Sequence, residues 1–222
     1  MTINRELVTL TINGEKISAP AGEKLLWTAL ENGIYIPNLC AIREKPEPNA
    51  ACRLCFVEVE GEKEPVTACA VEVSDGMVVN TRGKKALALA RAGFDLLMAS
   101  HALDCAHCSA NGHCELQKIA KVLKCSLKPR RLRLLLRDLP VDDSHPLFTL
   151  DPNKCVLCGK CVWECQKHRE KALLGFAHRG FERVVTTFAD EPVGKERCLD
   201  CAACVRVCPT GALAFKEGKK RE

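Results

Sequence analysis

The chain has few aromatic residues. Two tryptophans, one tyrosine and seven phenylalanines make up 5% of its 222 positions, so large aromatic core anchors are scarce. It has no run of 18 apolar residues, which excludes a membrane-spanning helix. A secretory signal is also missing. MTINRELVTLTING is broken by Asn4, Arg5 and Glu6 and holds no apolar stretch of the needed length. The 14 glycines never form G-x-G-x-x-G, so there is no dinucleotide fingerprint. These absences lead us to expect a cytoplasmic protein without a nucleotide site of its own.

Cysteine, by contrast, is abundant: there are 16, and they inflate the apolar fraction of 47%. A disulfide framework needs a secreted context, and these cysteines cluster at ligand spacings instead. Residues 146–216 contain an internal repeat. CVLCGKCVWEC begins at Cys155 and CLDCAACVRVC at Cys198, 43 residues on, with every cysteine in register. C-x2-C-x2-C-x3-C, followed the second time by Pro209, matches the run of two-cluster bacterial ferredoxins. In that pattern the fourth cysteine of each run reaches the other cluster. One [4Fe–4S] site is therefore expected on Cys155, Cys158, Cys161 and Cys208. The other is expected on Cys165, Cys198, Cys201 and Cys204. A pair of zinc knuckles is the plainer alternative, but zinc sites usually pair two C-x2-C units across a spacer. Two departures concern the local backbone: Gln166 stands where a proline is expected, and the stretch 166–197 exceeds a minimal ferredoxin linker.

The first 81 residues read as a small α/β unit. LVTLTI alternates, Asn13-Gly14 signals a tight hairpin, and EKISAP continues it. Residues 21–32 have helical spacing and end at Gly33. Short strands are expected in IYIP, CFVEVEG, PVTA and MVVN. Cys40, Cys52, Cys55 and Cys69 follow with gaps of 11, 2 and 13. Zinc is the alternative on spacing alone. The order of hairpin, helix and strand favours a β-grasp [2Fe–2S] ferredoxin domain, with the first ligand in the loop after the helix.

Between these regions lies HALDCAHCSANGHC, with three cysteines, Cys105, Cys108 and Cys114. Residues 82–102 read as an amphipathic helix, with a second one starting near Gly112 and running through ELQKIAKVLK. A fourth ligand must come from His101, His107, His113 or Cys125. His101 lies four residues before Cys105, so the two share a face if the helix extends that far. Cys125 is the commoner ligand type, but a helix between would hold it roughly 16 Å from Cys114. His107 and His113 sit inside the triplet, where they read as supporting donors or exposed groups. A histidine on an apolar helix face is more often a packed core residue, so spacing does not decide. Residues 128–145 read as an irregular connector.

Taken together, the [2Fe–2S] quartet, the H-x3-C-x2-C-x5-C run and the paired [4Fe–4S] repeat resemble one known arrangement. It is found in the N-terminal iron–sulfur region of the complex I large peripheral-arm subunit. It is also found in the N-terminal domains of [FeFe]-hydrogenases and in the small diaphorase subunit of NAD-linked [NiFe]-hydrogenases. The resemblance covers residues 3–216. It implies that the middle cluster takes His101, Cys105, Cys108 and Cys114, leaving Cys125 over. It further implies an α+β protein of three parts. These are a β-grasp [2Fe–2S] domain (1–81), a small helical [4Fe–4S] domain with one histidine and three cysteine ligands (82–140), and a two-[4Fe–4S] ferredoxin-like domain (141–222).

The chain stops at GALAFKEGKKRE, where such hydrogenases and complex I subunits continue into catalytic or molybdopterin-type domains. With no nucleotide fingerprint either, the expectation is a non-catalytic electron-transfer subunit. NAD(P)H and flavin would sit on a partner, with a hydrogenase as the other terminus and flavin-based bifurcation as an option. The alternatives are the equivalent subunit of an NAD-dependent formate dehydrogenase or a complex I-like NADH dehydrogenase. Soluble ferredoxin is a further partner class, and a zinc-binding regulatory module the weakest reading. A freestanding radical enzyme would need C-x3-C-x2-C, and Cys161–Cys165 lacks the third cysteine. The charge fits clusters. Fifteen ligating thiolates and four oxidised cores would take the formal +5 to about −2. Residues 118–137 hold eight Lys or Arg and no acid, but without interleaved aromatics they do not read as a nucleic-acid surface.

Overall fold

In a computed structural model, residues 6–168, 172–194, 198 and 201–219 are described. The chain divides into two compact units, Met1–Phe94 with Val122–Cys125, and Asp95–Lys121 with Ser126–Glu222. The segment 82–140 contributes to both.

The first unit is built on a five-stranded sheet. β1 (Leu7–Ile12) and β2 (Glu15–Pro20) form the expected hairpin. Asn13 and Gly14 both have positive φ, +54° and +89°, as its two-residue turn requires. Helix α1 (Leu25–Glu31) buries Leu25, Leu26 and Ala29 and is closed by Gly33 at φ +74°. β3 (Phe56–Val59), β4 (Val66–Thr67) and β5 (Val78–Asn80) complete the order β2-β1-β5-β3-β4. β1 and β5 run parallel and the other pairs antiparallel, which is the β-grasp arrangement. Asn13 closes the turn onto the end of β5: its Nδ2 donates to Thr81 Oγ1 at 2.8 Å, and Thr81 N donates to its Oδ1 at 2.9 Å. Leu10, Ile12, Ile17, Leu25, Leu26, Ile36, Val57 and Val79 form the core.

Three local expectations are corrected. IYIP is not a strand. Ile36 is buried, but its carbonyl accepts from Asn38 Nδ2 at 3.0 Å, so the segment is satisfied locally instead of by a ladder. Helix α1 begins at Leu25 because Lys24 is held extended by a bridge to Glu72. Helix α2 (Lys84–Ala99) stops before His101, so His101 and Cys105 do not share a helical face. The amides of Ser100 and His101 turn back to Leu97 and Met98 at 3.4 Å, and the Ala99 carbonyl is taken by Leu135 N at 2.7 Å. The start of α2 is capped from within its own unit, where Glu58 Oε1 accepts from Lys85 N and Ala86 N.

In the second unit, a single turn at Cys105–His107 precedes helix α3 (Glu115–Leu123), which ends at Lys124 with φ +54°. The repeat then folds twice as strand, cysteine loop, helix and strand. The first copy is β6 (Phe148–Leu150), α4 (Lys160–His168) and β7 (Gly175–Ala177). The second is β8 (Val184–Thr186), α5 (Ala203–Arg206) and β9 (Leu213–Phe215). β6 pairs with β9 and β8 with β7, so each copy's first strand meets the other copy's last. The two departures noted in the sequence have visible outcomes. With Gln166 in place of proline, α4 runs past Cys165 to His168, whereas α5 ends at Arg206, ahead of Cys208-Pro209. The long stretch 166–197 supplies the β7–β8 hairpin.

Candidate metal centres

Cys40, Cys52, Cys55 and Cys69 are all buried in the first unit, at most 5% exposed. Cys40 follows the coil that buries Ile36 and Leu39. Cys52 and Cys55 flank a tight loop in which Arg53 takes φ +53° and Leu54 is buried. Cys69 follows β4, tied to Cys55 by Ala68 N donating to the Cys55 carbonyl at 2.9 Å. The thiols crowd in pairs. The contact with Cys52, with burial, pushes the Cys40 thiol far up, and the same contact draws Cys52 down to about 6 against the effect of burial. Contact likewise raises Cys55 and lowers Cys69. Four thiolates in this space need a compensating positive core, which an iron–sulfur cluster supplies. Gly93 lets α2 approach this loop: a methyl group there would lie 2.6 Å from the Arg53 carbonyl oxygen.

Within the second unit, His101, Cys105, Cys108 and Cys114 line one cavity, together with Met98 and Leu116. The buried His101 Nδ1 has no hydrogen-bond partner among the described residues. Burial, and then the Lys154 ammonium, lower the ring's pKa and keep it neutral. A neutral imidazole with a free nitrogen is the state a metal ligand needs. The rival donors are elsewhere. His107 is exposed and pairs with Asp104 at 3.0 Å, His113 is exposed, and the Cys125 thiol sits 3.7 Å from the Leu123 carbonyl. The amides of Leu116 and Gln117, in the first turn of α3, face the Cys114 sulfur.

A second cavity is lined by Cys155, Cys158, Cys161 and Cys208. Leu157 at φ +53° and Gly159 at φ +79° curl the loop, and Leu157 N donates to Cys155 Sγ at 3.4 Å. Burial raises the Cys155 thiol to about 12 and, with the neighbouring thiolates, pushes Cys161 further. Cys204 is raised to about 12 by burial and then by its neighbours Cys198, Cys165 and Cys201, the companions expected from the repeat. Ala202 takes φ +46° where the first copy has Gly159, so this position keeps a positive φ without the glycine. Residues 199–200 lie outside the described residues. Among the described residues no three His, Cys, Asp or Glu side chains converge as they would on a single ion; the sulfurs line cavities instead. No described helix is long and apolar enough to cross a membrane.

Three family profiles match in chain order. They are a 2Fe-2S iron-sulfur cluster binding domain over residues 5–84, the NADH-ubiquinone oxidoreductase-G iron-sulfur binding region over 91–126, and a 4Fe-4S dicluster domain over 154–212. A chain in the crystal structure of an NAD+-reducing [NiFe]-hydrogenase in the H2-reduced state superposes with a TM-score of 0.86. It is 30% identical, covering 97% of this chain and 90% of that one. The present chain belongs to this iron–sulfur family, shared by NADH-ubiquinone oxidoreductase-G and NAD(P)-linked hydrogenases. Within the family, the NADPH-Fe(3+) oxidoreductase alpha subunit of Geobacter sulfurreducens is 35% identical over 97% of this chain and 25% of its own length. A subunit of the NADP-reducing hydrogenase of Solidesulfovibrio fructosivorans is 33% identical over 95% of this chain and 36% of its own. The chain thus spans about a quarter to a third of these curated relatives.

Sequence reasoning missed three supporting positions. Gly93 sits mid-helix, where glycine costs roughly 1 kcal/mol and so signals a close approach. At Gly211 a methyl group would lie 2.5 Å from Cys108 Sγ. Lys154 also reaches Gly211, its Cδ lying 3.7 Å from a methyl group there, and nothing in its spacing announced it.

Proposed function

We propose that the chain is an iron–sulfur electron-transfer unit of an NAD(P)-linked oxidoreductase, carrying one [2Fe–2S] and three [4Fe–4S] clusters. The [2Fe–2S] centre is assigned to Cys40, Cys52, Cys55 and Cys69. The cubes are assigned to His101, Cys105, Cys108 and Cys114; to Cys155, Cys158, Cys161 and Cys208; and to Cys165, Cys198, Cys201 and Cys204. The observation that carries this reading is that two quartets picked out in the sequence each line a cavity of their own. When bound, the clusters supply one-electron redox chemistry. The chain's own part is to hold them at fixed separations, bury them and set their potentials by ligand type and nearby charge.

Two of these sites adjoin through the chain itself. The Pro209 carbonyl, next to Cys208, accepts from Glu115 N at 3.1 Å and lies 4.0 Å from Cys114 Sγ. Thr210 Oγ1 donates to the Lys154 carbonyl at 2.9 Å, beside Cys155. Such contacts favour electron passage between the His101 centre and the Cys155 cube. The terminal partners are proposed to be a flavin- and NAD(P)H-binding subunit and a hydrogenase, the latter supported by the extent of the likeness to the [NiFe] enzyme's chain. A dehydrogenase partner of the complex I or formate type is the second reading. It is favoured by the match to the NADH-ubiquinone oxidoreductase-G region over residues 91–126.

A mediated redox titration of the loaded chain, followed by electron paramagnetic resonance, tests the assignment. Four separately titrating one-electron centres are expected. His101→Cys replaces a neutral ligand with an anionic one, so it should lower the midpoint of one [4Fe–4S] centre alone. An unchanged midpoint would remove His101 from the ligand set.

A further inference from the structure

Lys154 ends the short turn Pro152–Lys154 that delivers Cys155 to its own site, and its stem also reaches Gly211, which lines the neighbouring one. A methyl group on Gly211 would lie 2.5 Å from Cys108 Sγ and 3.7 Å from Lys154 Cδ, so the lysine stem passes close by that sulfur. Its carbonyl is fixed by Thr210 Oγ1 at 2.9 Å, and its backbone also meets the His101 ring. The ammonium is held at 3.0 Å by Asp151 Oδ2, with the two side chains 23% and 13% exposed. Asp151 is itself pinned, accepting from Asn153 N at 3.0 Å. A fixed, largely sheltered charge pair thus stands beside the His101, Cys105, Cys108 and Cys114 cavity.

We propose that Lys154 sets the reduction potential of the His101-ligated centre, its ammonium favouring the reduced state while the Asp151 carboxylate opposes it. Reduction adds one negative charge to the cluster. A nearby cation stabilises that charge, and a nearby anion destabilises it, most where water is partly excluded. The ammonium therefore works with the imidazole ligand, which already removes one negative charge from the centre, and the carboxylate works against it. Lys154 is not itself a ligand; its role is to bias one relay in the chain. The inference rests on the ligand assignment proposed above.

The test is a mediated titration of the full, cluster-loaded chain with Lys154→Gln, Lys154→Arg and Asp151→Asn. For Lys154→Gln, the reduced-to-oxidised ratio of the His101 centre at fixed ambient potential should fall on the order of tenfold, about 59 mV for one electron. Asp151→Asn should move that centre the opposite way. Lys154→Arg should restore the original midpoint, and the other three centres should hold theirs. Should Lys154→Gln fail to load its clusters, the opposed Asp151→Asn shift still decides. An unchanged midpoint in a variant that retains the centre's signal overturns the proposal, as does an equal shift of all four centres. Absence of a His-ligated [4Fe–4S] signal from the unsubstituted chain would instead overturn the ligand assignment.

Discussion

The two compact units hold cysteines differently. In the first, Cys55 and Cys69 join a core made mostly by Leu, Ile, Val and Ala from a five-stranded sheet and a helix. That core has its own logic and does not require a cluster to exist. Among the described residues the strands of the second unit form two-stranded ribbons, and its core is partly made of the ligands themselves: Cys161 and Cys204 are buried in it, with Cys155, Cys165, Cys198 and Cys208 packed alongside. An isolated two-stranded pair is marginal in water. The lesson is that the first fold surrounds its cofactor, whereas the second is assembled around its cofactors, so metal binding there is folding free energy.

Removing iron should expose this difference most strongly. After chelation under reducing conditions, amide exchange protection is expected to collapse in β6, β9, α4 and α5 while persisting in β1 and β5. Equal loss in both units would break the comparison. Next in size is Cys204→Ser, which removes a core thiol as well as a ligand. Iron analysis should show a loss of about four atoms per chain, and thermal melting of the second unit should shift down. Cys40→Ser should cost about two and leave the sheet standing.

The two close-approach glycines sharpen the contrast. Gly211→Ala drives a methyl into Cys108 Sγ at 2.5 Å, and a sulfur bound to a rigid cube cannot retreat, so the middle centre should be lost from the resonance spectrum. Gly93→Ala meets the Arg53 carbonyl at 2.6 Å, in a unit with its own core. There the expected cost is about 1–3 kcal/mol of stability, read by denaturant unfolding, with the [2Fe–2S] signal retained. Smallest of all is Cys125→Ser. Its thiol lines neither cavity, and iron content should not change.

The sequence carried the repeat because ligand chemistry leaves little freedom: both cysteine runs keep register over 43 residues, and the strand pairing respects that symmetry. The β1–β2 hairpin was legible because Asn13-Gly14 has few other uses. What was not legible depends on contacts from distant residues. Helix α2 ends before His101 because Leu135 takes the Ala99 carbonyl, and no local signal encodes that. IYIP has strand composition, yet Asn38 satisfies the Ile36 carbonyl and no ladder forms. His101 rose above His107, His113 and Cys125 only through resemblance. The structure adds an independent reason, its partnerless buried Nδ1 beside the cavity that three cysteines line.

The central claim, one [2Fe–2S] and three [4Fe–4S] clusters on fifteen cysteines and one histidine, is tested most directly by counting iron and acid-labile sulfide in anaerobically purified chain. The account predicts about 14 of each per chain. A chain loaded with zinc, or one saturating near ten irons with all sixteen cysteines intact, would contradict it.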